Sequence, residues 1–180
     1  MSSDGAAPES GATDGPGADT PVETLHGAPV GWSRGQQTIH PARDSYLELV
    51  ERLREDGYWV CTDLLGVDYL GYGASRDLPA GVEPERFEVV ANLLDPTEHR
   101  RIRVRVQVPE SDPRISSLLA VHPGVDHHER ETWDMFGIAF DGHPNLSRIL
   151  MPEDWEGHPL RKDYAVGRIP VQFKSATNTR

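Results

Sequence analysis

The stretch that decides how this chain folds lies near its C-terminus, at residues 129–164: ERETWDMFGIAFDGHPNLSRILMPEDWEGHPLRKDY. It begins with charged and apolar residues at helical spacing, and Gly137 predicts the end of this short helix. Three prolines then recur, and each biases the residue before it away from helix. The rest follows no helical or strand period, yet it is too rich in Trp, Leu, Ile and Met to stay in water. We therefore expect residues 141–180 to form an extended, irregular arm that docks on another surface.

This stretch also resembles a known family. Its matching blocks are Glu-Arg-Glu at 129–131, Asp-Met-Phe-Gly-Ile at 134–138, Gly-His-Pro-Asn-Leu at 142–146, Arg-Ile-Leu at 148–150 and Gly-His-Pro-Leu-Arg-Lys-Asp-Tyr at 157–164. With these spacings the chain resembles the 30 kDa subunit of respiratory complex I, the proton-pumping NADH–quinone oxidoreductase. Weaker similarity extends back to about Tyr46. The family usually has a Trp two residues before Glu-Arg-Glu, where this chain has His127, and that position puts one packing contact in question.

The resemblance implies a role inside a large assembly. That assembly transfers electrons from NADH to a quinone and couples the transfer to proton translocation, while this chain contributes scaffold and assembly without catalytic residues. It implies no cofactor in this chain, because FMN and the iron–sulfur clusters belong to partner subunits. The implied partners are the 49 kDa-like subunit, the subunit that holds the terminal cluster and the ferredoxin-like subunit. The residues expected at the partner interface are Glu129, Arg130, Glu131, Asp134, His143, Arg148, Trp155, His158, Arg161, Lys162, Asp163 and Tyr164.

Composition limits the other classes of function. The chain has 180 residues and a net charge of −11, and such an acidic protein does not favour nucleic acid or an anionic membrane surface. The lone Cys61 excludes an internal disulfide or a Cys-ligated cluster and favours a reducing, intracellular compartment. No apolar run approaches the roughly 18 residues that a transmembrane helix needs. We expect a soluble protein whose membrane contact is only through its partners.

The N-terminal residues 1–37 have a different composition from the rest. They are rich in Gly, Ala, Pro, Ser, Thr and acidic residues, which predicts a disordered acidic tail. Residues 1–24 contain no Lys or Arg and no apolar segment, so they resemble neither a signal peptide nor a mitochondrial presequence. For a chain that resembles this family, these features and the separate single-domain length imply a bacterial form on the cytoplasmic side of the inner membrane.

Residues 38–140 have the patterns of an α+β core domain. Apolar residues at helical spacing predict a helix over residues 42–56. Ser45 and Glu48 are spaced as a capping box at its start, and Gly57 is typical of its end. Asp126 is expected to cap the helix that precedes Gly137.

The strands of this domain are predicted from alternation. Residues 87–93 and 102–108 alternate and flank the turn residues 95–98, which predicts two antiparallel strands. Residues 58–62 suit a short strand, while the type of residues 63–70 stays open. Residues 116–121 fit either a strand or a helical turn. The predicted fold is α+β: a small antiparallel or mixed sheet with packed helices, followed by the long irregular arm.

Several residue clusters suggest other functions, each with a simpler explanation. His128 and Glu129 begin the zinc-protease motif HExxH, but Thr132 stands where its second His belongs. His127 and Glu131 are spaced to contact one metal, but two ligands do not make a site. We expect these side chains to form hydrogen bonds at a polar surface.

Two further clusters are also open to a second interpretation. Arg residues at 100, 101, 103 and 105 alternate with apolar residues, which indicates the solvent face of a strand more than a nucleic-acid site. His158, Arg161 and Asp163 are typical of an acid–base site, so a free-standing enzyme is one alternative. A proline-broken arm does not hold such geometry well. The other alternative is the equivalent subunit of a membrane-bound hydrogenase or of an F420H2- or ferredoxin-linked dehydrogenase.

Overall fold

The fold is described by residues 22–72 and 76–165 of a computed structural model. Two helices and eight strands follow one another in these ranges. They are β1 (Thr24–Leu25), β2 (Ala28–Ser33), β3 (Gln36–Ile39), α1 (Tyr46–Glu55), β4 (Val60–Asp68), β5 (Phe87–Asp95), β6 (Arg100–Val108), β7 (Arg114–Ser116), α2 (Asp126–Phe136) and β8 (Ala139–Asp141). None of the helices in the described ranges is both long enough and apolar enough to span a membrane.

Six strands form one mixed sheet in the order β1-β2-β3-β6-β5-β4. Its neighbours are antiparallel except β3 and β6, which run parallel. Strands β5 and β6 pair along their whole length, from Phe87 opposite Val108 to Asp95 opposite Arg100, so the predicted antiparallel pair is confirmed. Strands β7 and β8 form a separate parallel pair. The α+β prediction is confirmed as well.

Both helices pack on the sheet through apolar side chains. Helix α1 buries Tyr46, Leu49, Val50 and Leu53 against alternate residues of β5 and β6. Helix α2 lies on β4 at Gly66, where a Cβ would stand 2.9 Å from side-chain atoms of Thr132 and Phe136. The absence of a side chain at Gly66 therefore lets the helix approach the strand.

The opposite face of β6 is less exposed than its alternation predicts. Arg101 is exposed, as expected, but Arg105 is largely covered and bonds the carboxylate of Glu88 at 2.8 Å. The loop after β4 covers this part of the sheet, where Arg76 Nη1 donates to Gln107 Oε1 at 3.1 Å. The prediction of a wholly solvent-facing strand is therefore wrong at Arg105.

The prediction of a disordered tail over residues 1–37 is wrong for its last part. Strands β1 and β2 and the start of β3 lie within that range, and residues 28 and 30 are buried in the sheet. The reason is non-local: β3 adds to β6 through Thr38 opposite Arg103, so sheet hydrogen bonds offset the weak hydrophobicity of these strands. Residues 1–21 lie outside the described ranges.

The predicted signals at the C-termini of the two helices are confirmed, whereas the predicted caps at their N-termini are not. Gly57 and Gly137 follow their helices with φ of 103° and 73°, as predicted for terminating glycines. The predicted capping box does not form, because Ser45 Oγ donates to the Ala42 carbonyl instead. Asp126 is the first residue of α2 and makes no capping hydrogen bond, so that prediction is also wrong.

The segments whose type was open are now assigned. Residues 63–68 continue β4 beyond a bulge at 61–63, and β7 ends at Ser116, where the chain turns towards α2. The predicted boundary between the core domain (38–140) and the arm (141–180) falls inside β8. That division into two parts stays a prediction.

Candidate interface segment

Residues 142–165, which we call the C-terminal segment, leave β8 and cross the end of α2 without regular secondary structure. The predicted irregular character is therefore present, but the surface that the segment covers belongs to its own chain. Its backbone reaches back to the helix, where Leu160 N–H donates to the Met135 carbonyl at 3.1 Å. Residues 166–180, the rest of the predicted arm, lie outside the described ranges.

The centre of this contact is the buried carboxylate of Asp134 on α2. Its Oδ2 accepts three successive backbone N–H groups, from Ile149 at 3.0 Å and from Leu150 and Met151 at 2.9 Å each. Its Oδ1 pairs with the guanidinium of Arg148. Burial alone raises the pKa of this carboxyl, but the three N–H groups and Arg148 hold the pKa below its usual range. One side chain thus fixes four consecutive residues of the segment.

His158 and Arg161 complete the contact at the end of α2. His158 Nδ1 lies 3.0 Å from the Asp134 carbonyl and must carry the proton, because a carbonyl only accepts. Arg161 Nε donates to the Phe136 carbonyl at 2.5 Å. A Cβ on Gly137 would stand 2.5 Å from His158 Nε2 and 2.6 Å from Arg161 Nη2. Gly137 therefore both ends the helix and makes room for these two side chains.

A second anchor joins the segment to the ends of β4 and β5. Arg86 Nη2 contacts Asp68 Oδ2 at 3.0 Å and Asp163 Oδ1 at 2.8 Å, and its Nη1 pairs with Glu110. The Lys162 N–H donates to Asp68 Oδ2 at 2.9 Å. Arg86 lowers the pKa of Asp163, and it lowers the pKa of Asp68 against the opposing effect of burial. This network holds the last described part of the segment.

Two residues predicted at the partner interface are instead internal to the chain. Glu129 and Asp134 are both 0% exposed. Glu129 accepts from Ser117 Oγ at 2.6 Å and from Leu118 N–H at 2.7 Å, which ties α2 to the loop after β7. Burial raises the pKa of Glu129 to about 7 against these two hydrogen bonds. The interface prediction is wrong for both carboxylates, because charged side chains in a helix can serve intramolecular pairing as well as docking.

Other predicted residues also make contacts within the chain. Arg130 donates to the carbonyls of Ser147 and Arg148 at 3.2 Å each. The enclosed His143 ring has Nε2 3.2 Å from Asp126 Oδ1, without the alignment of a hydrogen bond. The half-buried Trp155 and Tyr164 lie within the segment, where the Tyr164 ring fills the space beside Gly157.

The solvent side of this region holds the residues that remain free for a partner. Leu150 is 58% exposed and Leu160 is 51% exposed, although the backbone of each is bonded to α2 or its carboxylate. Glu131, Lys162 and Asp163 are exposed too, although Asp163 also pairs with Arg86. Apolar side chains held open to solvent on a fixed backbone are typical of a docking surface.

The sequence prediction of the interface missed four residues that build this region. Asp68 and Arg86 were not singled out, because they lie far along the chain from Asp163 and meet it only in the fold. Leu150 and Leu160 lie in the blocks that carry the resemblance but were not predicted at the interface, because nothing in the neighbouring sequence indicates that their side chains are exposed. The one usable hint in the sequence was an Arg directly before a predicted strand, because an Arg that becomes buried at such a place needs carboxylate partners.

The acid–base alternative is not supported by this geometry. Asp163 pairs with Arg86, and the Nδ1–H of His158 donates a hydrogen bond to a backbone carbonyl. Burial and the nearby Arg161 and Arg148 lower the pKa of His158, with the Asp134 carbonyl opposing. Within residues 22–72 and 76–165, no three or more His, Cys, Asp or Glu side chains are grouped to hold a metal ion.

Known proteins similar to this chain agree on one family. A family model described as the 30 kDa subunit of respiratory-chain NADH dehydrogenase matches residues 39–169. The C subunit of NADH-quinone oxidoreductase from Saccharopolyspora erythraea is 46% identical over 147 residues, which is 79% of this chain and 55% of that protein. The C subunit from Acidothermus cellulolyticus is 47% identical over 80% of this chain and 71% of its own length. The chain spans about half the length of several curated relatives that it matches.

Solved structures extend the comparison. A trypsin-resistant fragment (1-134) of Nqo5 superposes with a TM-score of 0.60 and 34% identity, over 67% of this chain and 90% of the fragment. A chain of an archaeal respiratory membrane complex, the membrane-bound sulfane sulfur reductase, gives a TM-score of 0.63 at 18% identity, over 85% of this chain and 90% of that one. The latter likeness is one of fold alone. The family match and the relatives from NADH-quinone oxidoreductase show that this chain belongs to the family of the 30 kDa subunit of respiratory-chain NADH dehydrogenase.

Proposed function

We propose that this chain is a non-catalytic scaffold and assembly subunit in the peripheral arm of proton-translocating NADH–quinone oxidoreductase. In this role it supports electron transfer from NADH to quinone without a redox group of its own. FMN and the iron–sulfur clusters would belong to other subunits. The proposal extends the coarser fact that the relatives are named as subunits of this oxidoreductase.

The observation that carries the proposal is the way the C-terminal segment is held. The N–H groups of residues 149–151 donate to Asp134, and Arg148 pairs with the same carboxylate, so this part of the segment is held in shape by its own chain. At the same time it presents Leu150 and Leu160 to solvent. A preformed apolar surface loses little conformational entropy on binding, which favours stable association with another subunit.

The finer assignments belong to the same proposal. The partners would be the 49 kDa-like subunit, the subunit that holds the terminal cluster and the ferredoxin-like subunit. The location would be the cytoplasmic side of a bacterial inner membrane, with membrane contact through those partners. An interface through residues 150 and 160 is suited to large neighbouring subunits, because it depends on surface shape and apolar contact area. It requires no catalytic group.

The test replaces both exposed leucines. The double variant Leu150→Asp, Leu160→Asp should fold, since both side chains are exposed and each substitution should change stability by no more than about 0.5 kcal/mol. It should fail to enter the large complex when it is the only copy in the cell, and NADH–quinone turnover should fall with it. Native gels of detergent extracts and turnover assays measure the two quantities.

The matched control is Tyr72→Asp, which places the same charge on a side chain that is 65% exposed outside the segment. It should assemble normally. Normal assembly and turnover of the double leucine variant would contradict the proposal. Normal assembly with lost turnover would instead show that the C-terminal segment takes part in the reaction.

A second candidate is the equivalent subunit of a related complex that takes electrons from another donor. The likeness to a chain of the archaeal sulfane sulfur reductase complex makes this worth testing, although it concerns the fold alone. A purified complex that oxidises hydrogen, F420H2 or reduced ferredoxin but not NADH would favour this candidate.

A further inference from the structure

A second concave surface lies at the end of the sheet away from the C-terminal segment. The segment reaches the end of the sheet that holds Phe87, since the Arg161 guanidinium lies 5.1 Å from that ring. At the other end, the β2–β3 and β5–β6 turns flank a shallow, open groove of about 490 Å³. We call it the turn groove, and its side chains include Trp32, Tyr58, His99, Arg100 and Arg101.

The turn groove combines exposed aromatic surface with guanidinium groups. Trp32 is 60% exposed, the largest exposure of a tryptophan in the described ranges. Arg100 is committed to the chain itself, because it bonds Asp95 at 2.5 Å and lies 5.0 Å from the Tyr58 ring centroid. Arg101 is exposed and forms no ion pair with any described residue. Trp and Arg are the residue types that most often dominate binding energy at protein interfaces.

Both turns that flank the groove hold a basic residue in a backbone conformation that non-glycine residues rarely adopt. Arg34, next to the groove-lining Gly35, has φ of 53°, and His99 has φ of 54°. In a two-residue hairpin turn with two positive φ values, Asn and Gly are preferred because their side chains tolerate that conformation. Arg34 therefore occupies a position that local stability alone does not favour, and such outliers tend to occur at functional sites.

The charges around the turn groove limit the class of molecule that can bind there. Arg34 and Arg101 are free cations among the described residues of a chain whose net charge is −11. A polyanion such as nucleic acid or an anionic membrane would be repelled by the rest of the protein, and the exposed Glu98 lies on one of the two turns. A short peptide with one or two carboxylates and an apolar side chain matches the free guanidinium of Arg101 and the exposed indole of Trp32 in the groove, with Arg34 on the adjoining turn.

We propose that the turn groove docks a short acidic segment of another subunit of the same complex. Its carboxylates pair with Arg34 and Arg101, and an apolar side chain packs on Trp32. This inference rests on the proposed function, and it adds a second attachment at the end of the sheet opposite the C-terminal segment. A subunit attached at both ends of its sheet is fixed in orientation as well as position.

A photo-cross-linking experiment on the assembled complex tests the proposal. Benzoylphenylalanine replaces Trp32 in one strain and the exposed Tyr72, outside the groove, in another. We expect position 32 to cross-link to an acidic peptide of a different subunit, identified by mass spectrometry, and position 72 not to do so. In the same strains, Arg101→Glu should lower the recovery of that cross-link at least tenfold, while Arg52→Glu on α1 should leave it unchanged.

The other occupants are distinct outcomes that would overturn the proposal. A cross-link from position 32 to residues 1–21 of the same chain would assign the groove to its own acidic N-terminal residues. A cross-link to a second copy, to lipid or to nucleic acid would assign it to those molecules. No cross-link in an intact complex would refute the groove as an interface but leave the proposed function standing. A chain that never co-purifies with other subunits would instead refute the proposed function.

Discussion

At the scale of the single residue, Asp134 decides the path of the C-terminal segment. A carboxylate has room for about four hydrogen bonds, and Asp134 uses three for consecutive backbone N–H groups and one for Arg148. Because consecutive N–H groups of an extended chain point in opposite directions, three of them can reach one oxygen only where the chain bends around the carboxylate, as it does at residues 149–151. The irregular segment thus takes its order from a side chain instead of from a helix or strand.

Asp134→Asn should destabilise the whole domain. The amide keeps the size of the side chain, but it removes the charge that Arg148 faces, and Arg148 is only 12% exposed. Breaking a buried ion pair by removing one partner typically costs about 3–5 kcal/mol, because the remaining charge is left without compensation. Urea unfolding followed by circular dichroism measures the difference in free energy from the unchanged protein.

The matched control for this variant is Glu131→Gln, the same chemical change at an exposed position of α2. It should change the free energy of unfolding by less than about 0.5 kcal/mol. Equal effects of the two substitutions would show that Asp134 does not hold the segment. The same reasoning revises the expectation for Arg161, whose bond to the Phe136 carbonyl makes it part of the fold as well as a docking candidate.

At the scale of the element, the helices and strands that could be predicted are those whose sequence pattern lies within the element itself. The alternation of β5 and β6 and the glycine that ends α2 are properties of neighbouring residues, and both were predicted. Strands β2 and β3 were missed, since their stability depends on pairing with β6, which is distant in the sequence. The contacts of Asp134 with residues 148–151 were missed for the same reason. Family resemblance located that stretch without giving its partner.

Arg34→Asn should stabilise the chain through the β2–β3 turn. Asn adopts a positive φ more easily than Arg, and the cost of that conformation for other residues is about 1 kcal/mol. We therefore expect the free energy of unfolding to rise by up to about 1 kcal/mol in urea titrations. The control is Arg52→Asn in the last turn of α1, which should lower stability, since Asn is a poor helix former. A loss of stability in Arg34→Asn would show that the Arg side chain stabilises its own domain.

At the scale of the whole molecule, carboxylates with shifted pKa values make stability depend on pH in two opposite ways. The pKa values of Asp68, Asp134 and Asp163 are lowered, so their contributions are present above the ordinary pKa of Asp and are lost as the pH falls. Glu129 has its pKa raised from 4.5 to about 7, so its contribution is present at low pH and is lost as the pH rises. The pKa of His40 is lowered by burial to about 4, which adds to the loss of stability in acid.

The substitution Glu129→Gln isolates the loss of stability at rising pH from the losses of stability in acid. Below pH 4.5 the carboxyl is protonated in both the folded and the unfolded chain, so the two proteins should differ by a constant amount. Between pH 4.5 and about 7 the unfolded chain has released this proton while the folded chain still holds it, so over this window the unchanged protein should lose up to about 3 kcal/mol relative to the variant. Gln keeps an oxygen for the Leu118 N–H, which limits other effects. The measurement is the free energy of unfolding in urea at intervals from pH 4.5 to 8, with Glu131→Gln as the exposed control. A difference that stays constant over this range would show that Glu129 has an ordinary pKa in the folded chain, and a difference that grows in favour of the unchanged protein would show a lowered pKa; either result contradicts the prediction.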